Sequence, residues 1–406
     1  MGYGAPGSFL GEILLSRFNS FAVTAASTIA LAFAAVSPAN AIDVPAPPVV
    51  SAPSAPSIPA VSPIPTALPS NPALPGGLPS LAGLDSAALS AMTPEKLSSY
   101  APAQIASMSP NAFEKMTPSA LAGLTPVQTA ALTADQVAKF DSTGIVSVSA
   151  SALAAVNPNA FVNILPKTFA EITPSSIAAL TDQQLAILAP ANFAYFKPAQ
   201  AAGITPSQVV AIKTEVFAAL NGDVAAAFTP ATFQTILPAQ LGALSPSALS
   251  SLTISQAKAL QAGQVSALDA YDIAAFSATF MSNISTTALI AISPAALSGL
   301  APAQVSLLVP AEFKALTPNQ VAALTPEALS AISAGQIKNL NLTQLKSIDP
   351  ANITGLAPKS VAAIPALTIK KLSNGQLDAL SAQQTKALTK AQLASLSAAQ
   401  KKLLSN

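Results

Sequence analysis

An exact eight-residue period runs through most of the chain. Residues 85–404 form forty consecutive octads, without insertion or deletion, on the pattern Ser/Thr/Asp/Asn-Pro-x-Gln-apolar-x-Ala-apolar. The octads TPNQVAAL (317–324), TPEALSAI (325–332) and SAGQIKNL (333–340) show the frame. A short fixed period indicates an array of stacked units, in which length counts repeats rather than separate cores. We therefore predict one continuous repeat domain.

The polar positions of the octad match the start of a helix. Position 1 is Ser, Thr, Asp or Asn in 29 octads, position 2 is Pro in 21, and position 4 is Gln or Glu in 18. The side chain at position 1 can accept from an exposed backbone N–H, Pro is tolerated at the first helical position, and Gln can bond back to the cap. The pattern predicts a new capping box, and a new short helix, in every octad.

The apolar positions 5 and 8 distinguish the possible architectures. In one continuous helix the apolar stripe would rotate by roughly 80° per octad, so it could not face one partner. In a strand the two positions would point to opposite faces, and Pro would interrupt the hydrogen-bond ladder. We predict an all-α solenoid, a superhelix of about forty short helices, with a β-solenoid as the alternative. Positions 5 and 8 would form the core, together with the aromatic residues Phe113, Phe140, Phe161, Phe169, Phe193, Phe196, Phe217, Phe228, Phe233, Phe276 and Phe313.

Both ends of the array depart from the pattern. The segment 77–84 keeps Leu81 and Leu84 in register without a good cap, so we expect a degenerate first unit and a repeat domain spanning 77–404. The last octad, SAAQKKLL, places Lys401 at an apolar position. A charged residue there predicts a capping repeat with one face in water, followed by a tail at 405–406.

The amino-terminal segment has the features of a secretory signal. An uncharged apolar run at 21–36 follows Arg17 and precedes Ala39 and Ala41, which match a small-residue cleavage site. We predict a signal peptide at 1–41, because the run is short for a membrane span. The long and weakly basic first part keeps an organelle-targeting peptide as the alternative.

A proline-rich segment follows the predicted signal. Twelve prolines lie between residues 42 and 80 in a low-complexity stretch of Pro, Ala, Ser and Val. Such a composition favours extended polyproline-II conformations and cannot form a core. We predict a disordered stalk at 42–76, or a spacer that has no binding partner of its own.

The composition removes much of the usual catalytic chemistry. The chain has no Cys and no His, which excludes disulfides, thiolate nucleophiles and the common neutral-pH general base. Asp269 and Asp272 are the nearest candidate for paired carboxylates, but their spacing makes them a helix cap and its capping-box partner. No phosphate-binding or dinucleotide-binding motif is present. We therefore expect no enzyme, and no catalytic, cofactor or metal site.

Lysine is concentrated at the carboxyl-terminal end. Residues 42–337 carry 8 Lys against 14 acids, whereas residues 338–406 carry nine Lys against Asp349 and Asp378. These lysines either solvate the last turns of a poorly charged array or form a docking end for an anionic polymer or lipid surface. Because the repeats contain no Arg, nucleic-acid binding is not expected. The candidate contact residues are Lys338, Lys346, Lys359, Lys370, Lys371, Lys386, Lys390, Lys401 and Lys402.

Three sequons are candidate N-glycosylation sites. They begin at Asn283, Asn341 and Asn352, and each could carry a glycan in a secreted eukaryotic protein. A chain rich in Ser and Thr also produces such matches by chance, and Asn341 would be occupied as a helix cap. Modified and unmodified asparagines therefore both remain open.

An uncharged stretch raises the question of a membrane span. Residues 273–311 contain no charged residue, but Pro294, Pro302 and Pro310 recur within them. These prolines would interrupt the helix of about 20 residues that crosses a bilayer. We predict no transmembrane span after signal cleavage.

The run TPEALSAISAGQIKNLNLTQLKSIDPANITGL (325–356) resembles the octads of the family of mesothelin, stereocilin and otoancorin. Over 85–404 the resemblance implies a superhelix of short helices on an extracellular, surface-attached protein that takes part in adhesion. The chain departs from that family in having no Cys and in ending KKLLSN. We therefore expect no lipid anchor directed by a hydrophobic tail.

These patterns favour two functions. The first is a secreted structural or adhesive protein of the cell surface, cell wall or extracellular matrix, which presents an elongated surface to a protein, a polysaccharide or another copy of itself. The alternative is a soluble solenoid module that binds a glycan or protein partner along a groove.

Overall fold

The computed structural model describes residues 81–404, and all of them belong to one compact unit. Within this range the secondary structure is helical and contains no β-strand, so the chain is an all-α solenoid and the β-solenoid alternative is wrong. Each octad from 85 onward contains one short helix. The predicted signal peptide, the predicted stalk, residues 77–80 and the tail lie outside the described residues.

The helices are three to six residues long and follow one another at the octad period. The 3₁₀-helices are Leu81–Gly83, Pro110–Ala112, Pro190–Phe193 and Gln264–Ala267. The α-helices are Ser86–Ser90, Pro94–Ser98, Pro102–Ala106, Pro118–Leu121, Pro126–Thr129, Ala134–Val137, Ser142–Ser147, Ala150–Ala155, Pro158–Phe161, Pro166–Phe169, Pro174–Ala179, Asp182–Ile187, Pro198–Gly203, Pro206–Ala211, Thr214–Ala219, Gly222–Ala227, Pro230–Phe233, Pro238–Gly242, Pro246–Ser250, Ile254–Ala259, Ala270–Ala275, Ala278–Met281, Thr286–Ala291, Pro294–Leu297, Pro302–Leu307, Pro310–Ala315, Pro318–Ala322, Pro326–Ser330, Ala334–Ile337, Leu342–Ser347, Pro350–Ile353, Pro358–Ala363, Ala366–Ile369, Asn374–Asp378, Ala382–Lys386, Lys390–Ser395 and Ala398–Leu403.

A short helix starts in every octad from 85 onward, as predicted, but a capping box does not accompany every one; at Leu165, for example, no side chain caps the helix Pro166–Phe169. At Pro126–Thr129 the hydroxyl of Thr125 accepts from the backbone N–H of Gln128 (3.4 Å), and the side-chain oxygen of Gln128 accepts from the backbone N–H of Thr125 (2.9 Å). Thr125 has an extended backbone (φ −88°, ψ 158°), which is the conformation that a residue before Pro prefers. The cap and the following Pro therefore start a new helix and prevent the preceding one from continuing.

The octads wind into a superhelix whose turn takes between three and four repeats. Helix Pro126–Thr129 packs against Ala150–Ala155, and Pro318–Ala322 packs against Leu342–Ser347, each pair being three octads apart. Side-chain bonds also join octads that are four apart, as described below. Residues stacked in this way share a single hydrophobic core that extends from Leu81 to Leu396.

Positions 5 and 8 form the core, as predicted. All eleven predicted phenylalanines are buried, and Phe280, which lies at position 4, is buried with them. The largest aromatic cluster surrounds Phe169, whose ring centroid lies 5.4 Å from that of Phe193 and 5.5 Å from that of Phe196. The core is therefore continuous from turn to turn, and each octad contributes only a part of it.

Position 7 sets how closely successive turns approach. A Cβ atom added to Gly299 would overlap the carbonyl oxygen of Ala270, a residue three octads earlier. Where position 7 is Ser the same approach becomes a hydrogen bond, since the Ser347 hydroxyl donates to the carbonyl oxygen of Pro318 (2.7 Å). At Gly299 a residue without a Cβ atom is therefore needed for the close approach, whereas position 7 of other octads holds larger side chains such as Lys139.

The ends of the described array agree with the predictions for them. Leu81 is buried and Leu84 packs against the core, so the degenerate first unit contributes to it. At the other end Lys401 is exposed, and helix Ala398–Leu403 contains no buried residue. The last octad therefore has one face in water.

Candidate interaction surface

The octad's position 4 forms a buried polar layer that joins successive turns. In the octad 341–348 the side-chain oxygen of Gln344 accepts from the backbone N–H of Asn341 (2.7 Å). Its Nε2 donates to the carbonyl oxygens of Leu316 (2.6 Å) and Phe313 (3.2 Å), which lie four octads earlier. One amide thus caps its own helix and binds the preceding turn.

This bridge recurs along the array. The position 5 carbonyl already accepts from the backbone N–H of position 8, as Phe313 does from Leu316 (3.3 Å). The glutamine amide adds a second donor to that carbonyl and also donates to the position 8 carbonyl at the end of the same short helix. Where the side chain at position 4 is shorter than glutamine, it donates to a single carbonyl 28 residues earlier. Thr168 donates in this way to Phe140, and Asn192 to Ile164. The glutamines that donate to carbonyls both 28 and 31 residues earlier are Gln128, Gln136, Gln184, Gln200, Gln208, Gln240, Gln256, Gln264, Gln304, Gln320, Gln336, Gln344, Gln376, Gln384 and Gln392.

Sequence reasoning missed this second role, because the capping box alone accounts for a glutamine at position 4. A signal was present in the first four octads, which carry Ala88, Lys96, Gln104 and Ala112 at that position. Gln104 is only half-buried, and it accepts from the N–H of its own cap, Ala101 (2.9 Å). These octads have no octad of the array four repeats before them, so a bridging amide has nothing to bind.

Glu312 occupies a glutamine position and behaves differently. The residue is 6% exposed, and its Oε2 accepts from the backbone N–H of Val309 (2.7 Å). Burial raises the pKa of Glu312, and the hydrogen bond from Val309 opposes part of that increase. Because burial disfavours the ionised form, this site favours the protonated carboxyl more than water does.

The two aspartates of the octad 269–276 have the structural role predicted for them. Asp269 Oδ1 accepts from the backbone N–H of Asp272 (2.9 Å), and Asp272 Oδ2 accepts from the backbone N–H of Asp269 (3.1 Å). Tyr271 between them is 75% exposed. The carboxylates therefore form a capping box.

One cavity in the interior is too small for a ligand. This cavity lies beside Thr129, Phe140 and Phe161 and has a volume of about 10 Å³. That is space for roughly one water molecule. An open groove of about 280 Å³ runs over the surface beside Ala134 and Asn157. Recognition of a partner by the described residues would therefore use the outer surface.

No group of three or more His, Cys, Asp or Glu residues in 81–404 is arranged to hold a metal ion. None of the helices between these limits is both long enough and apolar enough to cross a membrane.

The outer surface carries the charged residues, and some of them meet across turns. In the part of the chain that the structure describes, Lys139 pairs with Glu114 (3.0 Å) and Lys197 with Glu171 (2.8 Å). All nine candidate lysines of the carboxyl-terminal end are exposed. They lie at positions 2, 3, 5, 6 and 7 of octads 333–404, and the structure does not gather them into one pocket.

The three sequon asparagines differ in their surroundings. Asn283 is half-buried and donates to the carbonyl oxygen of Thr279 (2.9 Å). Asn341 is exposed, and its Oδ1 accepts from the backbone N–H of Gln344 (2.9 Å). Asn352 faces the preceding turn at position 4, with its amide nitrogen 3.5 Å from the carbonyl oxygen of Leu324. Glycosylation at these residues stays a prediction, and Asn341 offers the most open side chain.

No protein-family model matches this chain, and no curated protein matches it by sequence. The resemblance of its octads to those of the mesothelin family therefore stays a prediction.

Proposed function

We propose that this chain is a secreted structural or adhesive repeat protein of the cell surface, cell wall or extracellular matrix. In this proposal the solenoid presents an extended outer surface, and the proline-rich segment separates that surface from the amino-terminal end. The observation that supports it is that the buried glutamine side chains bond within the protein. The amides of Gln344 and its counterparts cap their own helices and donate to carbonyls of the preceding turn.

A scaffold built in this way gains surface with every octad. The buried positions 4, 5 and 8 bond and pack to other octads, whereas positions 2, 3, 6 and 7 mostly face solvent. Repeat arrays commonly use such solvent positions for binding, because each repeat contributes a small and similar area. A structural or adhesive protein needs area and length, and this arrangement supplies both.

The location can be tested in the organism that makes the protein. We expect the chain in the surface, wall or matrix fraction, with a mature amino terminus that begins after Ala41. Replacement of Ala41 by Leu should block cleavage, because signal peptidase requires a small residue there. Replacement of Ala35 by Leu, within the apolar run, should leave cleavage unchanged.

Two results would contradict the proposal. Recovery of the uncleaved chain from the cytosol would remove the secretory step. Recovery as a free extracellular monomer, bound tightly to one soluble partner, would instead support a recognition module.

A further inference from the structure

One pair of surface positions on neighbouring turns changes its charges near the carboxyl-terminal end. Position 6 of an octad and position 7 of the octad three repeats later are 25 residues apart, and in this register Glu114 and Lys139 form an ion pair (3.0 Å). The same register pairs Lys258 with Asn283 and Lys314 with Asn339. At Lys346 and Lys371 it pairs lysine with lysine.

Two lysines in this register repel each other unless an anion lies between them. The length of the upstream ion pair shows that side chains at these two positions can reach a common point. Lys346 and Lys371 are both exposed, so an external anionic group has access to them. A carboxylate or sulfate held between the two ammonium groups would replace the missing acidic side chain.

Other lysines extend this positive surface along the array. Lys338, Lys370 and Lys402 recur at position 6 in octads four apart, the separation that the glutamine bridges span. Helices packed side by side lie about 8–10 Å apart, so exposed lysines recur at roughly that spacing from turn to turn. Lys359 and Lys386 add a second pair on helices that pack together.

We propose that octads 333–404 bind an anionic polysaccharide, with Lys346 and Lys371 holding one carboxylate or sulfate group between them. The inference rests on the proposed extracellular function and names the class of partner. A linear polymer with recurring charges fits lysines that are distributed over several turns. Sequence-tolerant nucleic-acid binding uses aromatic stacking, and the chain has no aromatic residue after Phe313.

The test uses the purified full chain on surfaces coated with polygalacturonate, dextran sulfate or uncharged dextran. We expect binding to at least one charged polymer, weakening as salt is raised, and none to dextran. The double variant Lys346→Gln/Lys371→Gln should bind about 25-fold more weakly, because each lysine near an anionic surface contributes a factor of about five. The matched control Lys96→Gln/Lys115→Gln removes two exposed lysines elsewhere and should bind as the native chain does.

A second variant separates the site from the fold. Lys371→Glu would give this register opposite charges, as at Glu114 and Lys139, so we expect the polymer affinity to fall by a factor similar to that of the double variant while the melting temperature is maintained. Equal losses in the two double variants would mean that net charge alone binds the polymer, which overturns the site. Absence of binding to both charged polymers, or tighter binding to phosphatidylserine vesicles, would also overturn it. None of these results depends on where the protein is located, which the cleavage and fractionation experiment decides.

Discussion

Two regions of one solenoid differ in the residues that hold successive turns together, although bridging glutamines occur in both. The phenylalanine-packed region, residues 109–316, contains all twelve buried phenylalanines and has glutamine at position 4 in nine of its 26 octads. The glutamine-rich region, residues 317–404, contains no phenylalanine and has glutamine at position 4 in seven of its 11 octads. The octad length and the helix starts are the same in both.

The difference shows which task each residue type performs. A phenylalanine buries a large apolar area without specifying a partner atom, so it fills the space between turns. A bridging glutamine adds little apolar area, but its amide donates to two particular carbonyls. It therefore fixes the register between one octad and the octad four repeats earlier. We infer that the first region depends more on packing and the second more on inter-turn hydrogen bonds.

The largest effect is expected from removal of a central phenylalanine. Phe169→Ala should cost about 3–5 kcal/mol, because the ring is fully buried among Phe161, Phe193 and Phe196. In hydrogen exchange, protection should fall in octads 133–148 and 189–204, which pack on that of Phe169. Neighbours three and four repeats away would then unfold with the altered octad.

The matched change in the other region is Leu345→Ala, which removes a fully buried side chain from a core without phenylalanine. The destabilisation should be no larger than that of Phe169→Ala, about 2–5 kcal/mol. The loss of hydrogen-exchange protection should be confined to the octads near Leu345. Loss of protection throughout 81–404 in either variant would show that the array unfolds as one unit and that the two regions do not differ.

Close approach between turns predicts the next effect. Gly299→Ala should destabilise by about 1–3 kcal/mol, because the added methyl group overlaps the carbonyl of Ala270. Gly375→Ala is the control, since its Cβ would lie 3.5 Å from the Pro350 side chain in ordinary contact. That change should be neutral or stabilise by about 0.5–1 kcal/mol, because glycine is a poor helix former. Urea denaturation compares the two variants, and equal stabilities would refute the proposed constraint at Gly299.

A bridging glutamine should matter more than one that only caps. Gln344→Ala removes the donor to the Leu316 carbonyl and one of two donors to the Phe313 carbonyl, which also accepts from the backbone N–H of Leu316, at a cost of about 1–3 kcal/mol. Gln104→Ala removes only the bond to the N–H of Ala101, so its cost should stay below about 1 kcal/mol. Melting temperatures of the two variants measure the difference. Equal decreases would mean that the inter-turn bonds contribute no net stability.

The sequence was sufficient for the local structure and insufficient for the winding. Thr125 and Gln128 determine a helix start through contacts within one octad, so the pattern predicts it. The partners of Gln344 lie 28 and 31 residues away, and an eight-residue period does not state how many octads make one turn. The lysine pair at Lys346 and Lys371 was hidden for the same reason, because its spacing has meaning only once the turn is known.

The smallest effect, and the one with the clearest pH dependence, is expected at Glu312. Glu312→Gln restores the amide used elsewhere at this position, so it should raise the melting temperature at neutral pH. Burial raises the pKa of Glu312 in the folded chain, so the unfolded chain loses this proton at lower pH than the folded one. The free energy of unfolding of the native chain therefore falls as pH rises from the ordinary pKa of a glutamate toward the folded-state pKa of Glu312.

The advantage of Glu312→Gln should consequently disappear below about pH 4, where both states of the native chain keep the proton. Glu327→Gln makes the same chemical change at an exposed position and should shift the melting temperature little at any pH. A gain at Glu312 that persists unchanged at low pH would show that the amide acts through its donors alone. A gain that follows the titration would show that the charged form of the Glu312 carboxyl destabilises the folded chain.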